Sequence, residues 1–451
     1  MPLFRKHRSP FKLELTNCGQ SSAHGGQVLI DAFCRRFGLW HKIADEPLLD
    51  RRTRQSTGFA PEAIIAQLLF TLTSGGCSLA DAERLGHDAV FLKMVGLDQG
   101  ADESTLGEYL RGQSKESVRA LHRLNRDLVR WTLDQAKPGR VLQGGDLEVF
   151  FDDTEIEVYG KKIQAARMNY NGDLALSWQT LWVGPFLLDG ILDGAGDVSQ
   201  HLPALLAEHP SFWQGCASYF YADSGSSAGK YLNVIDRAGF SAWSVSYNKW
   251  TGPLDKMAGE LAPDQWSAAA VIAGMSQQFT WLKHLPGENE KSRLFAAVRR
   301  KRQGDLLWQQ GYVVGQPKAS AEPRAVFERH ALKGAKEQGF SQVLNDLDLH
   351  HPPCLDLIAN QTFYALGMLA CNILTAFKVL ELGEAEQAWQ VRTIIRQLLT
   401  VPVQVSAHAR TVRAHLCLPS GWLRWWRLFV DRWLPKRKAG RPTAAVALES
   451  G

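Results

Sequence analysis

The sequence predicts a mixed fold of the α+β/α/β type, in which a helical N-terminal region precedes a domain of strands and helices. Apolar residues recur at three- and four-residue spacing over residues 27–50 and 61–137, which is typical of helices. Strand-like segments begin after Pro138-Gly139, and helical spacing returns from about Pro323 to Leu382. With 451 residues, the chain has room for about three domains of roughly 150 residues each.

Residues 1–138 are predicted to be all-helical. Gly75-Gly76 interrupts the apolar spacing, and a new helix is predicted to start near Ser78. Asp102, followed by Glu-Ser-Thr, is typical of a residue that caps a helix N-terminus. Short helices beside a basic arm favour a DNA-binding module of the helix-turn-helix type, although a plain helical bundle has the same periodicity.

The rest of the chain is predicted to hold an α/β domain with an insertion. Residues 139–240 form its first part, 241–322 a partly β insertion, 323–400 its completion and 401–451 a basic C-terminal region. The predicted strands are Leu147–Tyr159, Leu176–Leu192, Ala217–Ala222, Phe240–Tyr247 and Leu306–Val314.

One segment is long and apolar enough to cross a membrane. Leu357–Phe377 runs through 21 residues without a charge. Because it contains Asn360, Gln361 and Asn372, we expect a buried core helix and no association with a membrane.

Basic residues concentrate at both ends of the chain. Residues 1–54 carry ten Lys/Arg against five Asp/Glu, and residues 401–451 carry nine against two, so the middle is acidic although the whole chain is +5. Basic ends around an acidic centre suit a protein that binds a polyanion and holds metal ions, but ordinary surface variation produces the same pattern.

The seven cysteines are scattered, without a CxxC pair, which indicates a reducing compartment. No apolar segment follows the basic stretch Met1–Phe11, so we expect a cytoplasmic rather than a secreted protein.

Three acidic segments are candidates for a cation site. Phe150-Phe151-Asp152-Asp153-Thr154 places two acids at the end of an apolar strand, where ionised carboxylates need a partner or a metal. Successive strand side chains alternate, so only one of Asp152 and Asp153 is expected to enter the site. Asp223 likewise ends an aromatic strand, and Glu337 lies in a predicted helix with Lys333 one turn upstream. Taken singly, each segment also fits a solvated turn or helix surface.

Four stretches together resemble bacterial insertion-sequence transposases of the DDE class, in the group whose ribonuclease-H-like catalytic domain carries an insertion. The resemblance covers roughly residues 12–430. It rests on Gly75–Glu83 with Asp102–Leu106, on Asp152–Thr154 with Glu157–Gly160, on Tyr221–Gly225, and on Lys336–Gln338 with His351–Cys354 and Ala359–Gln361.

This resemblance implies that Asp152, Asp223 and Glu337 are the catalytic acids and metal ligands, with Asp153 as the alternative to Asp152. The wider group carries Tyr, Arg, Glu and Lys around the last acid. His330, Lys333, Glu337 and Leu344 stand at those positions here, so the positive charge is kept at residue 333 and lost at residue 344.

Two Mg²⁺ ions per active site are implied as cofactors, with Mn²⁺ as a substitute. Three acids and no Cys or His suit such hard cations, which would lie about 4 Å apart and serve both cutting and joining of strands. The implied partners are double-stranded DNA, as terminal inverted repeats and target, and a second copy of the chain that brings two DNA ends together.

Basic side chains supply the expected DNA contacts: Lys333, Lys336, Arg424, Arg427, Lys436, Arg437 and Lys438. Trp422, Trp425, Trp426 and Trp433 lie among the last of these. They suit base stacking, or equally the buried face of a helix whose other face is basic and solvated. The insertion tryptophans Trp250, Trp266, Trp281 and Trp308 are candidates to stabilise a flipped base.

Two other classes remain open from the sequence. A non-catalytic DNA-binding protein descended from a transposase is favoured by Leu344 and opposed by the three acids. A glycoside hydrolase is suggested by paired carboxylates and 15 tryptophans, but it has no need of basic ends.

Overall fold

The computed structural model describes residues 20–52, 58–169, 171–318, 321–334, 339, 342–408 and 411–433. Helices and a mixed sheet make up this part of the chain. One continuous apolar core joins the N-terminal helices, the sheet and a long helix, Leu357–Glu381. The N-terminal helices therefore pack into the same core as the sheet.

Helices dominate the chain before residue 142. They are α1 (Gln27–Phe37), α2 (Leu39–Ala44), α3 (Pro61–Thr73), α4 (Leu79–Gly86), α5 (Ala89–Val95), α6 (Glu103–Arg111), α7 (Lys115–Gln135) and α8 (Pro138–Val141). Both predicted helix starts are confirmed. Ser78 Oγ accepts a hydrogen bond from the Asp81 amide at 3.1 Å, and Asp102 Oδ1 accepts one from the Thr105 amide at 2.7 Å.

The later helices are α9 (Leu202–Glu208), α10 (Gly229–Arg237), α11 (Gly252–Glu260), α12 (Pro323–Ala331), α13 (Leu357–Glu381), α14 (Val391–Ile394) and α15 (Ser420–Trp433). Short 3₁₀ turns lie at Pro47–Leu49, Pro210–Phe212, Ser224–Ser226, Pro263–Gln265 and Ala385–Ala388, and π turns at Gln342–Asp346 and Ile395–Leu399.

Ten strands of the described chain form one mixed sheet. They are β2 (Leu147–Glu157), β3 (Arg167–Met168), β4 (Leu174–Val183), β5 (Phe186–Gly194), β6 (Ser218–Ala222), β7 (Ala242–Tyr247), β8 (Ala270–Ile272), β9 (Met275–His284), β10 (Arg293–Arg302) and β11 (Gln309–Gln316). The order is β3-β4-β2-β6-β7-β11-β10-β9-β8, with β5 paired to β4. The β2–β6 and β6–β7 pairs are parallel, and the other pairs are antiparallel.

The sheet runs without a break from the first part of the α/β domain into the predicted insertion. The predicted boundary at residue 241 places β7 in the insertion, yet β7 pairs in parallel with β6 on one side and antiparallel with β11 on the other. The predicted strand Leu306–Val314 is wrong at its start, because Leu306 and Leu307 are exposed in a turn and β11 begins only at Gln309.

A second, three-stranded sheet joins the two ends of the described chain. It consists of β1 (Ser21–Ser22), β12 (Val403–His408) and β13 (Thr411–Leu416). The prediction that residues 1–138 are all-helical is therefore wrong at Ser21 and Ser22, which pair antiparallel with Val403 and Gln404. This pairing depends on residues almost 400 positions away, and local apolar spacing carries no trace of it.

Helix α13 is the central helix of the core, as the sequence predicts. Asp356 caps its N-terminus by accepting hydrogen bonds from the Ile358 and Ala359 amides. Of the described helices, it alone is long and apolar enough to cross a membrane, and 89% of its most apolar window is buried inside the protein. Its polar Asn372 is paired internally, because Nδ2 donates to the Leu187 carbonyl at 2.7 Å.

Candidate active site

Parallel pairing of β2 and β6 brings the first two predicted acids together. Phe151 lies opposite Ala222 at the end of the β6 register, so Asp152 and Asp223 are the next residues on neighbouring strands. Asp152 continues within β2 opposite Thr180, whereas Asp223 follows the end of β6 and directly precedes the 3₁₀ turn Ser224–Ser226. Two acids that are 71 positions apart in sequence thus meet at one edge of the sheet.

A buried lysine lies against both acids. Lys333 stands two residues beyond α12, and its Nζ lies 3.0 Å from Asp223 Oδ1 and 4.0 Å from Asp152 Oδ2. The Lys333 side chain is 6% exposed, that of Asp152 17% and that of Asp223 57%. A buried ammonium needs nearby negative charge, so the paired carboxylates form a site that attracts cations.

Asp153, the alternative first acid, points to the opposite face of the sheet. Its Oδ1 accepts a hydrogen bond from Ser177 Oγ at 2.5 Å. The pKa of Asp153 is raised to about 7, mainly by burial; the carboxylates of Asp152 and Glu155 add to the rise, and the Ser177 hydrogen bond partly opposes it. The structure therefore places Asp152, and not Asp153, beside Asp223 and Lys333.

His330 is the residue that the resemblance aligns with a Tyr of the wider group. Its ring is buried, with Nδ1 2.8 Å from Ser244 Oγ and Nε2 2.7 Å from Ser246 Oγ, both on β7. The pKa of His330 is lowered to about 4, mainly by burial; the Lys333 charge contributes to the fall, and Asp223 partly opposes it. A neutral His330 therefore holds α12 against β7, the strand next to β6.

Arg329, the residue before His330, ties α12 to the strand that carries Asp152. Its Nη2 lies 3.4 Å from Glu148 Oε1 and 3.5 Å from Asp146 Oδ2, and its guanidinium lies over the ring of Tyr219. Glu148 is 1% exposed and accepts a hydrogen bond from the Tyr221 hydroxyl at 2.9 Å. Sequence reasoning missed this network, because it joins residues that show no local pattern in the sequence.

Several predicted site residues lie outside the described part of the chain. These are the third acid Glu337 and the basic residues Lys336, Lys436, Arg437 and Lys438. Leu344 is described and buried at 7% exposure in the turn Gln342–Asp346, so it has no access to a phosphate.

The C-terminal helix α15 separates its basic and aromatic residues. Arg424 and Arg427 are exposed, whereas Trp426 is 1% exposed and Trp422 and Trp425 pack against Trp389. Trp425 Nε1 also donates a hydrogen bond to Glu386 Oε1 at 2.9 Å. Of the two interpretations left open by the sequence, these contacts favour an aromatic face in the core and a solvated basic face.

The insertion tryptophans differ sharply in exposure. Trp266 is buried, and Arg299 lies between the rings of Trp266 and Trp308, 4.4 Å and 4.8 Å from their centroids. Trp250 is 69% exposed and has a positive φ of 53°. A cavity of about 560 Å³ is lined by Ser246, Thr251, Arg300, Phe327 and His330 among others, and Trp250 is not part of its lining. Sequence reasoning missed this cavity, whose lining includes Ser246 of β7, the strand that pairs with β6.

A second polar cluster lies apart from the acid pair, around Asp189 on β5. Ligand atoms of Asp189, Glu208 and His209 lie within 4.8 Å of one another. The Asp189 carboxylate is already paired, with His122 Nδ1 at 2.5 Å, His209 Nε2 at 2.6 Å and Arg126 Nη1 at 2.9 Å. Since the Arg126 guanidinium supplies the positive charge, the cluster is explained as an ion network that joins α7 to β5.

Comparison with known proteins gives one finding that covers almost the whole chain. The family model described as Transposase DDE domain group 1 matches residues 8–424. No curated protein matches the chain significantly. The mixed α/β fold, in which Asp152 and Asp223 lie together, agrees with this match. Because the match covers most of the chain, the chain belongs to the DDE transposases of domain group 1.

Proposed function

We propose that this chain is an active DNA transposase, which binds the terminal inverted repeats of its insertion sequence, cleaves the DNA there and joins the ends to a new site. The observation that carries the proposal is the meeting of Asp152 and Asp223 around one buried cation, Lys333 Nζ, within 4.0 Å of both. Family membership supplies the reaction class, and the strands around these acids are the proposed ribonuclease-H-like part of the fold.

The residues present fit a divalent metal. Asp152 and Asp223 offer carboxylate oxygens on adjacent strands, and such hard donors suit Mg²⁺, with Mn²⁺ as a substitute. Glu337 is the proposed third ligand by its resemblance to the last acid of the family. When bound, two such ions would supply activation of the attacking oxygen and stabilisation of the leaving oxygen.

The chain's own residues have separate roles in this proposal. Asp152 and Asp223 hold the reacting end of the DNA through the metal site, and Lys333 and Lys336 contact its phosphates. Arg424 and Arg427, exposed on α15, contact the backbone farther away, together with Lys436, Arg437 and Lys438. His330 and Arg329 hold α12, and with it Lys333, in register with the sheet.

Two further expectations belong to the same proposal. A homodimer is needed to bring the two DNA ends together. We also expect a cytoplasmic protein that associates with the nucleoid by binding DNA. The scattered cysteines support this location, because they indicate a reducing compartment.

A non-catalytic DNA-binding protein is the second candidate. Leu344 favours it, because this residue is buried where the wider group carries a lysine. The two candidates share DNA binding and differ in strand cleavage.

The test is cleavage of a labelled duplex that carries the element's own end, with Mg²⁺, with EDTA and with the Asp223→Ala variant. The proposal expects nicking that needs metal and is lost in the variant, while DNA binding persists. Binding without nicking by the unmodified protein would favour the second candidate. Nicking that Asp223→Ala leaves intact would refute the assigned site.

A further inference from the structure

Lys333 occupies the space that a metal ion would need. Its ammonium nitrogen lies between carboxylate oxygens of Asp152 and Asp223, at 4.0 Å and 3.0 Å. A divalent cation bound by these same oxygens would stand within about 4 Å of that ammonium, a separation at which like charges repel strongly outside bulk water. The ammonium and the metal therefore exclude each other from this position.

We propose that Lys333 is a built-in competitor of the metal, which occupies the acid pair in the DNA-free protein and moves to a DNA phosphate when DNA binds. The inference rests on the proposed metal site and adds its regulation. In the DNA-free protein Lys333 offsets one of the two negative charges of Asp152 and Asp223, which lessens the repulsion between these acids when no metal is bound. Arrival of the substrate frees the acids for the metal.

The chemistry of lysine suits such a movement. Its ammonium is a point charge on a flexible four-carbon stem, and it exchanges one oxygen partner for another without the fixed fork geometry of arginine. Lys333 also lies beyond the end of α12, whose own attachments to the sheet run through Arg329 and His330. The side chain can therefore change partner while α12 stays in place.

A thermodynamic consequence follows from this exchange. If metal and ammonium compete for Asp152 and Asp223, and DNA removes the ammonium, then DNA raises the affinity for metal and metal raises the affinity for DNA by the same factor. Without Lys333, the metal should bind well before DNA arrives, and this part of the coupling should vanish.

The experiment measures Mn²⁺ binding to the full chain by electron paramagnetic resonance, without and with an element-end duplex whose 3′ ends lack hydroxyls. In the absence of DNA, we expect Lys333→Met to bind Mn²⁺ at least about tenfold more tightly than the unmodified protein does. Each factor of ten in affinity corresponds to about 1.4 kcal/mol of repulsion that the substitution removes. The duplex should raise the Mn²⁺ affinity of the unmodified protein by about tenfold more than that of the variant, because only the unmodified protein has the ammonium that DNA removes.

Two further variants make the result specific. Lys318→Met removes a lysine paired with another buried acid, Asp146 at 2.7 Å, and should leave Mn²⁺ binding unchanged. Lys333→Arg keeps the charge and should keep the weak DNA-free binding, so tighter binding by Lys333→Met can be assigned to the lost charge rather than to replacement of the side chain. Equal or weaker Mn²⁺ binding by a folded Lys333→Met would overturn the inference. If Asp223→Ala left Mn²⁺ binding unchanged in every background, the proposed metal site itself would fail.

Discussion

Arg329 should be a main attachment of α12 to the sheet, and its replacement should be costly. Arg329→Met keeps a long apolar side chain over the Tyr219 ring but removes the charge 3.4 Å from Glu148 Oε1. Glu148 is 1% exposed, so it would remain as a buried carboxylate without its guanidinium partner. Breaking a buried ion pair from one side costs about 3–5 kcal/mol. Arg329 itself is 19% exposed, which places the expected loss near the lower end of that range.

The same helix offers a matched control. Arg324 pairs with Glu328 at 2.8 Å, but both side chains are more than half exposed. Arg324→Met should therefore cost only about 0–1 kcal/mol. Urea unfolding followed by tryptophan fluorescence gives both free energies, and hydrogen exchange of the α12 amides shows whether the loss is local to that helix.

Activity gives a second measure of the same attachment. Because α12 leads directly to Lys333, a shifted helix should lower strand cleavage by about a hundredfold even where the protein is folded, as small misplacements of reacting groups do. Equal stability and equal cleavage for Arg329→Met and Arg324→Met would show that the buried network contributes no more than a surface pair, contrary to the role given to Arg329.

Two further predictions concern buried titratable groups. The pKa of His330 is about 4 in the fold and near 6.5 when unfolded, so the unfolded chain binds more protons in between and stability falls as the pH drops from 6.5 towards 4. His330→Gln should remove about 3 kcal/mol of this loss of stability. Urea unfolding at pH 7.5 and pH 4.5 measures the difference, and an equal pH dependence of stability in the variant and the unmodified protein would contradict the prediction. Burial alone would raise the pKa of Asp189, but the imidazoles of His122 and His209 outweigh it and hold the pKa below its usual range. Asp189→Asn should thus cost about 3–5 kcal/mol at neutral pH, a difference that decreases progressively as the pH falls below about 4; a loss under about 1 kcal/mol would count against the ion network.

Local patterns in the sequence predicted much of the secondary structure correctly. Helix starts at Ser78 and Asp102 follow from capping chemistry, and the burial of α13 follows from a long uncharged segment that contains asparagines. These features depend on residues within one or two turns of each other. The strand wrongly started at Leu306 shows the limit, because an apolar pair in an exposed turn has the same local composition as a strand.

The candidate site could be predicted only in part. Acids at the ends of apolar strands marked Asp152 and Asp223 as separate candidates, and only the resemblance to DDE transposases joined them in one site. Alternation along the strand gave no means to choose between Asp152 and Asp153, and the preference for Asp152 came from the same resemblance. That choice depends on which sheet face carries Lys333, and so on the packing of α12. The burial of Lys333 and its contact with both acids depend on the same packing.

The most direct test of the account compares Asp152→Asn with Asp153→Asn in the metal-dependent nicking assay. The two residues are adjacent, but only Asp152 lies beside Asp223 and Lys333, while Asp153 is hydrogen-bonded to Ser177 on the other face. We expect Asp152→Asn to abolish nicking while DNA binding is retained, and Asp153→Asn still to nick the duplex. Nicking that survives in Asp152→Asn and is lost in a folded Asp153→Asn would contradict it.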